Sequence, residues 1–471
     1  MRRLQPFSRW FSVTVFAILA APLSQVAVSA QGRPWMQYAS PQEAGFSSDK
    51  LEATRRFADS VRAAAVMAIY RGRVLVAWGD VARELEAHSV RKSLLSALYG
   101  TAVAEGKIDL DRTLAELGID DTPGLTDVEK GARIRDLIAA RSGVFLPAAY
   151  AADQQDRDRP ARGSHPPGTH WFYSNWDFNV AGVIFEQLTS EQLYEAFARR
   201  IARPIGMQDY EPSDGFLVLE PGRSRHPAHT FRMSTRDLAR FGQLYLQQGR
   251  WDGRQVVRRD WVRESTRPHS EIGPGAGYGY MWWTYAAGSL PERYPALRRH
   301  ALYQARGTGG QAIFVIPGAE LVVVVRGDTD HGRNVAGPSV WAIAEGILAA
   351  REGAPVARAA VGPVTVAPLR SQLPAPEPVR FLTLERDSLA RYVGDYELAP
   401  DAVSRVFLYE GRLFINMPGQ GEGELFAVSS SEFTLRVVPG VRVAFGRDST
   451  GAVSGVEVTL GAERMRGRKL D

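Results

Sequence analysis

The order of elements in the sequence predicts an α/β (α+β) fold. It comprises an antiparallel sheet built from both ends of a large domain, a mostly helical middle, and a small antiparallel β domain behind it. Two hairpin patterns lie near those ends, with strands at 66–70 and 74–78 and again at 311–316 and 320–325. Between them, apolar residues recur at helical spacing. After a proline-rich stretch, short alternating strands follow, the first expected from Leu389 to Tyr396.

The composition of successive segments divides the chain into four parts. Residues 1–30 are predicted to be a secretory signal peptide, because a basic start precedes a short apolar run and the small residues of Val28-Ser29-Ala30. A membrane anchor is the alternative, but the apolar run is short for a bilayer. Residues 31–350 would form the main domain, 351–380 a linker with six prolines, and 381–471 the small β domain. We therefore expect a periplasmic or secreted protein, cleaved near Ala30, with no membrane anchor after cleavage.

The overall composition excludes several classes of function. Of the 471 residues, 45% are hydrophobic and 23% are charged, which is ordinary for a globular protein. The net charge of +5 is small for this length and the basic residues form no stripe, so we expect no nucleic-acid partner. The absence of cysteine excludes disulfides, thiol nucleophiles and thiolate metal sites. We expect neither a metal nor a cofactor, and the composition leaves the oligomeric state open.

The segment from His88 to Gly100 contains the first candidate for chemistry. Its apolar residues predict a buried helix that begins near Ser89. Residues three apart lie on the same face of a helix, so Ser89 and Lys92 can touch. A serine becomes a nucleophile when a neighbouring base takes its proton, and a lysine can be that base if burial lowers its pKa.

The spacing alone is a weak signal, because Ser47 and Lys50 repeat it at the start of another predicted helix, where the serine is expected to be a cap. Residue usage strengthens the interpretation of Lys92. The chain has five lysines against 52 arginines, and arginine cannot give up its proton in a protein. A lysine in the middle of an apolar helix therefore suggests that chemistry needs the amine.

Two further patches are candidates. Tyr173 and Asn175 follow a polar, proline- and glycine-rich loop, and a buried tyrosine near a lysine can relay a proton. Taken alone, Tyr173 fits a core aromatic residue better, but its place after Pro167-Gly168-Thr169 and two residues before Asn175 favours the chemical role. The second patch, Arg306-Gly307-Thr308-Gly309-Gly310-Gln311, precedes an apolar strand. Glycines there would let a substrate carbonyl approach backbone N–H groups, although an ordinary loop before a hairpin has the same pattern.

Together and in this order, these elements resemble the serine β-lactamase and penicillin-binding-protein superfamily, specifically its class C-like branch. That branch includes β-lactamase-fold esterases and 6-aminohexanoate-dimer hydrolases. The resemblance covers about residues 40 to 350. Besides the patches above, it rests on five shorter matches: the stretch from Leu137 to Gly143, Pro167-Gly168-Thr169, Arg203-Pro204-Ile205-Gly206-Met207, the stretch from Ser234 to Gly242, and Gly277-Tyr278-Gly279. The last part of the chain resembles the lipocalin-like β domain often fused to such enzymes.

The resemblance implies a role for each site residue. Ser89 would be the acylated nucleophile and Lys92 its proton acceptor, with Tyr173 acting in both acylation and deacylation. Asn175 would touch the substrate amide or the lysine. The oxyanion hole would combine the backbone N–H of Ser89 with that of Gly310, if Gly307-Thr308-Gly309 occupies the place of the family's Lys-Thr-Gly. Whether the lysine or the tyrosine is the general base is disputed within the family.

One departure from the family pattern bears on the substrate. Gly307 stands where β-lactamases and carboxypeptidases have the cation that receives the substrate carboxylate, and the neighbouring Arg306 should point to the opposite face of its strand. We therefore expect a serine hydrolase that acts through an acyl-enzyme on a small-molecule ester or linear amide. One alternative is a β-lactamase or D-alanyl-D-alanine carboxypeptidase that acts on penicillins or peptidoglycan stem peptides. The other is a penicillin-recognising scaffold or sensor that has lost turnover.

Overall fold

The centre of the protein is a ten-stranded sheet that joins the two ends of the main domain. The computed structural model describes residues 35–370, 373, 379–400, 402–417 and 421–470, so the predicted signal peptide lies outside the described residues. Ala65–Tyr70 from the first hairpin pairs antiparallel with Leu321–Arg326 from the last. In spatial order the strands are Val361–Pro363, Met36–Tyr38, Arg73–Gly79, Ala65–Tyr70, Leu321–Arg326, Gln311–Ile316, Leu302–Gly307, Trp283–Tyr285, Ala276–Tyr278 and Ser270–Gly273.

The central strands are apolar because helices cover both faces of the sheet. Every residue of Leu321–Arg326 is buried, as expected for a strand packed on both sides. On one face, Ser48–Ser60 packs with Gly337–Ala349. On the other face, Thr235–Leu246 comes so close to the sheet that a Cβ at Gly242 would lie 2.6 Å from a methyl group of Val322.

The helices fill the region between the two hairpins, as predicted. The helix Val90–Ala104, here called the site helix, is the most enclosed of the longer ones, with thirteen of its residues buried. The other α-helices in this region are Leu114–Leu117, Asp127–Lys130, Ile134–Ile138, Asp153–Arg157, Asn175–Thr189, Leu193–Phe197, Arg259–Ser265 and Pro295–Arg298. One more helix, Arg386–Ala390, precedes the C-terminal strands. Among the described residues, no helix is long and apolar enough to cross a membrane.

The middle also contains a hairpin that the sequence pattern did not predict. Gly215–Glu220 pairs antiparallel with Ser224–Met233, and the latter pairs with the short strand Leu85–Glu86. Ser224–Met233 contains His226, His229 and Arg232, so it lacks the apolar alternation of a half-buried strand, yet these polar side chains are buried. The pattern was therefore not recognisable as a strand.

The C-terminal strands close into an antiparallel barrel, because Arg412–Met417 pairs with Gly421–Ala427 as well as with its other neighbour. The remaining strands are Ala402–Tyr409, Gly394–Ala399, Glu463–Lys469, Val453–Leu460, Val441–Arg447 and Glu432–Leu435. Side chains such as Tyr396, Phe433 and Val443 form its core. The expected strand from Leu389 to Tyr396 is wrong at its start, because Arg386–Ala390 is helical and the strand begins at Gly394. An α/β fold with a β domain behind it is confirmed.

The barrel is also hydrogen-bonded to the main domain. Glu422 and Gly423 pair with Leu219 and Val218, so one sheet runs from the barrel through the unpredicted hairpin to Leu85–Glu86. The backbone N–H of Leu217 donates to Glu424 Oε2 at 2.8 Å. This sheet therefore connects the barrel to the segment that leads into Ser89.

Candidate active site

Ser89 and Lys92 are in direct contact at the start of the site helix. Ser89 is the residue before the helix, and its own backbone is already helical, with φ −70° and ψ −7°. Its hydroxyl makes no capping hydrogen bond to the helix backbone. Instead, Lys92 Nζ lies 2.7 Å from Ser89 Oγ. The Ser89 hydroxyl therefore does not cap the helix, and it contacts the amine of Lys92.

The environment of Lys92 favours the neutral amine. Its side chain is 2% exposed. Burial is the main cause of a pKa held well below the ordinary value of 10.5, and the positive charge of Arg91 lowers the pKa further. A neutral amine keeps a lone pair, so Lys92 can accept the proton of the Ser89 hydroxyl.

Tyr173 is the third member of the group that Ser89 and Lys92 form. Lys92 Nζ lies 4.8 Å from the centre of the Tyr173 ring. Burial raises the pKa of Tyr173 to about 12, against the opposing effects of a hydrogen bond with Ser89 and the charges of Arg91 and Arg306. The tyrosine is therefore protonated at neutral pH and can donate its proton. The structure thus brings Ser89, Lys92 and Tyr173 together from segments more than eighty residues apart.

Asn175 has contacts that differ from the expected ones. Its side-chain Nδ2 donates to the backbone oxygen of Tyr150, and its Oδ1 accepts from Gln155 Nε2 at 3.4 Å. The same Gln155 nitrogen donates to the backbone oxygen of Tyr173 at 2.9 Å. Asn175 is thus tied to the loop before Tyr173, and its described hydrogen bonds do not involve Lys92.

The glycine-rich patch meets the nucleophile segment at Gly307. A Cβ at Gly307 would lie 2.7 Å from the backbone oxygen of Ala87 and 3.2 Å from His88 Cβ. Gly310 has φ 92°, and a Cβ there would lie 2.6 Å from Val335 Cβ. The predicted oxyanion residue therefore packs against Val335, whereas Gly307 lies against the residues that lead into Ser89.

Arg306 lies at the edge of the site despite its place on the strand. Its guanidinium carbon is 4.8 Å from the ring centre of Trp283, and that ring is 5.4 Å from the ring of Tyr173. Within the described part of the chain, Arg306 forms no ion pair with a carboxylate. The guanidinium of Arg306 therefore lies near the site, with the rings of Trp283 and Tyr173 between it and Ser89.

Sequence reasoning missed two residues beside the reacting groups. Arg91 is buried and donates to Asn179 Oδ1 at 2.7 Å and to the backbone oxygen of His229 at 3.1 Å. The phenol of Tyr150 donates to Glu86 and lies 2.7 Å from His88 Nδ1. An arginine within an apolar helix was a usable signal for Arg91, whereas the polar loop around Tyr150 gave none. Among the described residues, no group of three or more His, Asp or Glu side chains is placed to hold a metal ion.

Comparison with known proteins identifies the class. The model of the Beta-lactamase family matches residues 49–344, which is more than half of the chain and includes every residue of the candidate site. The chain therefore belongs to the Beta-lactamase family, and the predicted membership of the serine β-lactamase-fold superfamily is confirmed.

Solved structures that are similar to this chain have low sequence identity to it. A putative 6-aminohexanoate-dimer hydrolase from Bacillus anthracis is 17% identical, with a TM-score of 0.50 over 67% of this chain and 89% of that one. SurE is 20% identical, with a TM-score of 0.47 over 90% and 99% of the two chains. EstCE1, described as a hydrolase with promiscuous acyltransferase activity, is 17% identical, with a TM-score of 0.47 over 66% and 99%.

Proposed function

We propose that this protein is a serine hydrolase that forms an acyl-enzyme on Ser89 from an ester or a linear amide. The observation that carries the proposal is the 2.7 Å contact between Ser89 Oγ and a buried Lys92 amine that has a lowered pKa. A serine hydroxyl in contact with an amine whose pKa is lowered has the neighbouring base that activates a serine nucleophile.

In the proposed reaction, Ser89 Oγ attacks the substrate carbonyl while its proton moves to Lys92. The oxyanion that forms is stabilised by the N–H of Ser89 and a second N–H from the glycine-rich patch. Gly310 was the expected donor, and the position of Gly307 against Ala87 and His88 favours the Gly307–Thr308 end instead. Tyr173 and Lys92 pass a proton to the leaving alcohol or amine. Water then attacks the carbonyl of the acyl-enzyme, and one of its protons passes through the same pair to Ser89 Oγ. The bond between Ser89 and the acyl group breaks, which releases the acid and restores the Ser89 hydroxyl.

The first experiment is mass spectrometry of the protein after mixing it with a fluorophosphonate, p-nitrophenyl butyrate, a penicillin or a linear amide. We expect the fluorophosphonate adduct on the Ser89 peptide, together with turnover of the ester or the amide. A long-lived penicillin adduct without turnover would instead support a penicillin-binding protein. No adduct with any reagent would contradict the hydrolase proposal and favour a scaffold or sensor without turnover.

A second candidate function is supported by Arg306. β-Lactamases and D-alanyl-D-alanine carboxypeptidases act on substrates that carry a carboxylate. Arg306 lies at the edge of the site with no carboxylate partner in the described part of the chain, so it can bind one. The distinguishing experiment compares p-nitrophenyl hemisuccinate, which carries a carboxylate, with the neutral p-nitrophenyl butyrate. If Arg306 binds the carboxylate, Arg306→Gln lowers kcat/KM for the charged ester about tenfold or more and leaves the neutral ester unchanged.

Arg293 offers a matched control for that experiment. It is exposed, and its guanidinium carbon lies 5.0 Å from the ring of Tyr294, on the other face of the large sheet. Arg293→Gln should leave kcat/KM for both esters unchanged. Equal losses for the two esters in Arg306→Gln would show that Arg306 does not select charged substrates, and would support the esterase or amide-hydrolase function.

We also propose that the chain is exported and cleaved near Ala30, which gives a periplasmic or secreted enzyme with no cofactor. The support is the basic start and short apolar run of the first thirty residues. N-terminal sequencing of the protein purified from the exporting host should begin near Gln31. An intact Met1 on all of the protein would contradict this proposal.

A further inference from the structure

Tyr150 connects the two halves of the candidate site through both its side chain and its backbone. Its phenol donates a hydrogen bond to Glu86 Oε1 and lies 2.7 Å from His88 Nδ1. Its backbone oxygen accepts from Asn175 Nδ2. Glu86 and His88 lead directly into Ser89, whereas Asn175 is two residues after Tyr173. Tyr150 therefore touches the segment of the nucleophile and the segment of the tyrosine at the same time.

The residue before the nucleophile needs such support. His88 has φ 47°, a left-handed conformation that is unfavourable for a residue with a Cβ. Its other ring nitrogen, Nε2, lies 2.9 Å from the hydroxyl of Thr329. Hydrogen bonds on both ring nitrogens fix the imidazole, and this fixes the strained turn from which the site helix begins.

The hydrogen bonds around His88 form one consistent chain. The single phenolic proton of Tyr150 goes to the carboxylate of Glu86, so the tyrosine oxygen accepts from His88 Nδ1–H. His88 Nε2 then accepts from the Thr329 hydroxyl. This arrangement fits a neutral imidazole, in agreement with the burial that lowers the pKa of His88. Every donor in the chain has an acceptor, so loss of one member leaves a partly buried partner without its hydrogen bond.

We propose that Tyr150 is a positioning residue that sets the distance between Ser89 and Tyr173. Its phenol holds the Glu86–His88 side, its carbonyl holds the Asn175 side, and its own backbone is held in turn by Glu220, which accepts from the Tyr150 N–H at 2.9 Å. This inference rests on the proposed function. The group itself does not touch the reacting atoms, so its effect should be on the rate of acylation and not on substrate binding.

The test is Tyr150→Phe, measured by the rate of Ser89 labelling with a fluorophosphonate and by kcat and KM for p-nitrophenyl butyrate. We expect the labelling rate and kcat to fall about 10- to 100-fold, since small displacements of reacting groups have effects of that size, with KM changed less than about threefold. Tyr99→Phe is the control: Tyr99 lies on the site helix and donates to the backbone oxygen of Ala181 at 2.7 Å, away from the reacting groups. It should lose stability without losing labelling rate.

Two further variants separate positioning from a general loss of structure. Glu86→Gln should reduce kcat, and its effect should not add to that of Tyr150→Phe, because both act through one hydrogen-bond chain. Thr329→Val tests the hydrogen-bond chain from its far end and should also slow labelling of Ser89. It replaces Tyr150→Phe as the test if that variant does not fold.

The outcomes distinguish this inference from the proposed function. Wild-type protein that is not labelled on Ser89 contradicts the proposed function itself. A labelled wild type with equal labelling of Tyr150→Phe contradicts only the role of Tyr150. Additive effects of Glu86→Gln and Tyr150→Phe, or a loss seen in KM alone, would also overturn the positioning role.

Discussion

The chain contains two Ser-x-x-Lys sequences at the starts of two helices, and the structure uses them in opposite ways. Ser47 has an extended backbone and its hydroxyl accepts from the backbone N–H of Lys50 at 3.5 Å, so it caps the helix Ser48–Ser60. Lys50 extends into solvent, where its side chain is 55% exposed and pairs with Glu352 at 2.9 Å. Ser89 caps nothing, and Lys92 is buried against it.

The difference shows that the Ser-x-x-Lys spacing brings the serine and the lysine to one face of a helix. Burial then decides whether the lysine can act as a base. The amine of Lys50 is exposed and contacts a carboxylate, and no serine hydroxyl is among the described partners of that amine. A buried lysine beside an arginine loses its proton more easily, and a hydroxyl that is not a cap is free to react. Five predictions test this comparison, from the largest expected effect to the smallest.

Removal of the two serine hydroxyls should have opposite consequences for activity. Ser89→Ala should lower turnover of any substrate by at least about 10⁴-fold, because the group that forms the acyl bond is lost. Ser47→Ala should retain full activity. Steady-state kinetics and fluorophosphonate labelling check both variants, and wild-type turnover in Ser89→Ala would disprove the assignment of the nucleophile.

Replacement of the two lysines by arginine should likewise separate the two sequences. Lys92→Arg should lower kcat about 10²- to 10⁴-fold, since arginine keeps its proton and cannot act as a base. Lys50→Arg keeps the exposed charge and should have the activity of the wild type. Should Lys92→Arg turn over substrate at the normal rate, the base lies elsewhere.

The pH dependence of activity should follow Lys92. The amine is active when neutral, so kcat/KM should rise as the pH increases through its lowered pKa, to a plateau that begins well below the ordinary value of 10.5. Tyr173, with a pKa raised to about 12, should cause no decline before strongly alkaline pH. A pH–rate profile from pH 5 to 10 measures this, and activity that falls over this range as the pH rises would contradict a neutral-amine base.

The same shift has a consequence for stability. Between its lowered pKa in the fold and its ordinary pKa in the unfolded chain, Lys92 binds a proton only when the chain is unfolded. Stability should therefore increase with pH across that window, and Lys92→Met should remove this contribution. Thermal unfolding of the two proteins at several pH values checks the sign.

The smallest expected effect belongs to the capping serine. Ser47→Ala removes one helix cap and should lower the free energy of unfolding by about 0.5–1 kcal/mol, at the low end for such caps because the hydrogen bond is long. Urea unfolding measures this difference. A loss above about 2 kcal/mol would mean that Ser47 has a further structural role.

The contrast between the two Ser-x-x-Lys sequences was predictable, and the reason is local. Leu94, Leu95 and Leu98 follow Lys92, whereas Glu52, Arg55 and Arg56 follow Lys50. Apolar residues at helical spacing indicate burial, and burial is the condition for a neutral lysine. The sequence was also sufficient for the two terminal hairpins of the large sheet, because their continuous apolar runs flank turns of a few residues.

What the sequence by itself determined, then, was the fold class, the family pattern and the reacting trio of Ser89, Lys92 and Tyr173 as candidates. The tertiary structure alone decided which groups surround them. The bonds from Tyr150 to Glu86 and from His88 to Thr329 join residues 64 and 241 positions apart. No local period marks such pairs, because they depend on how the sheet, the loop and the unpredicted hairpin come together. For the same reason, only the structure could place Arg306 beside Trp283 and Gly307 against Ala87.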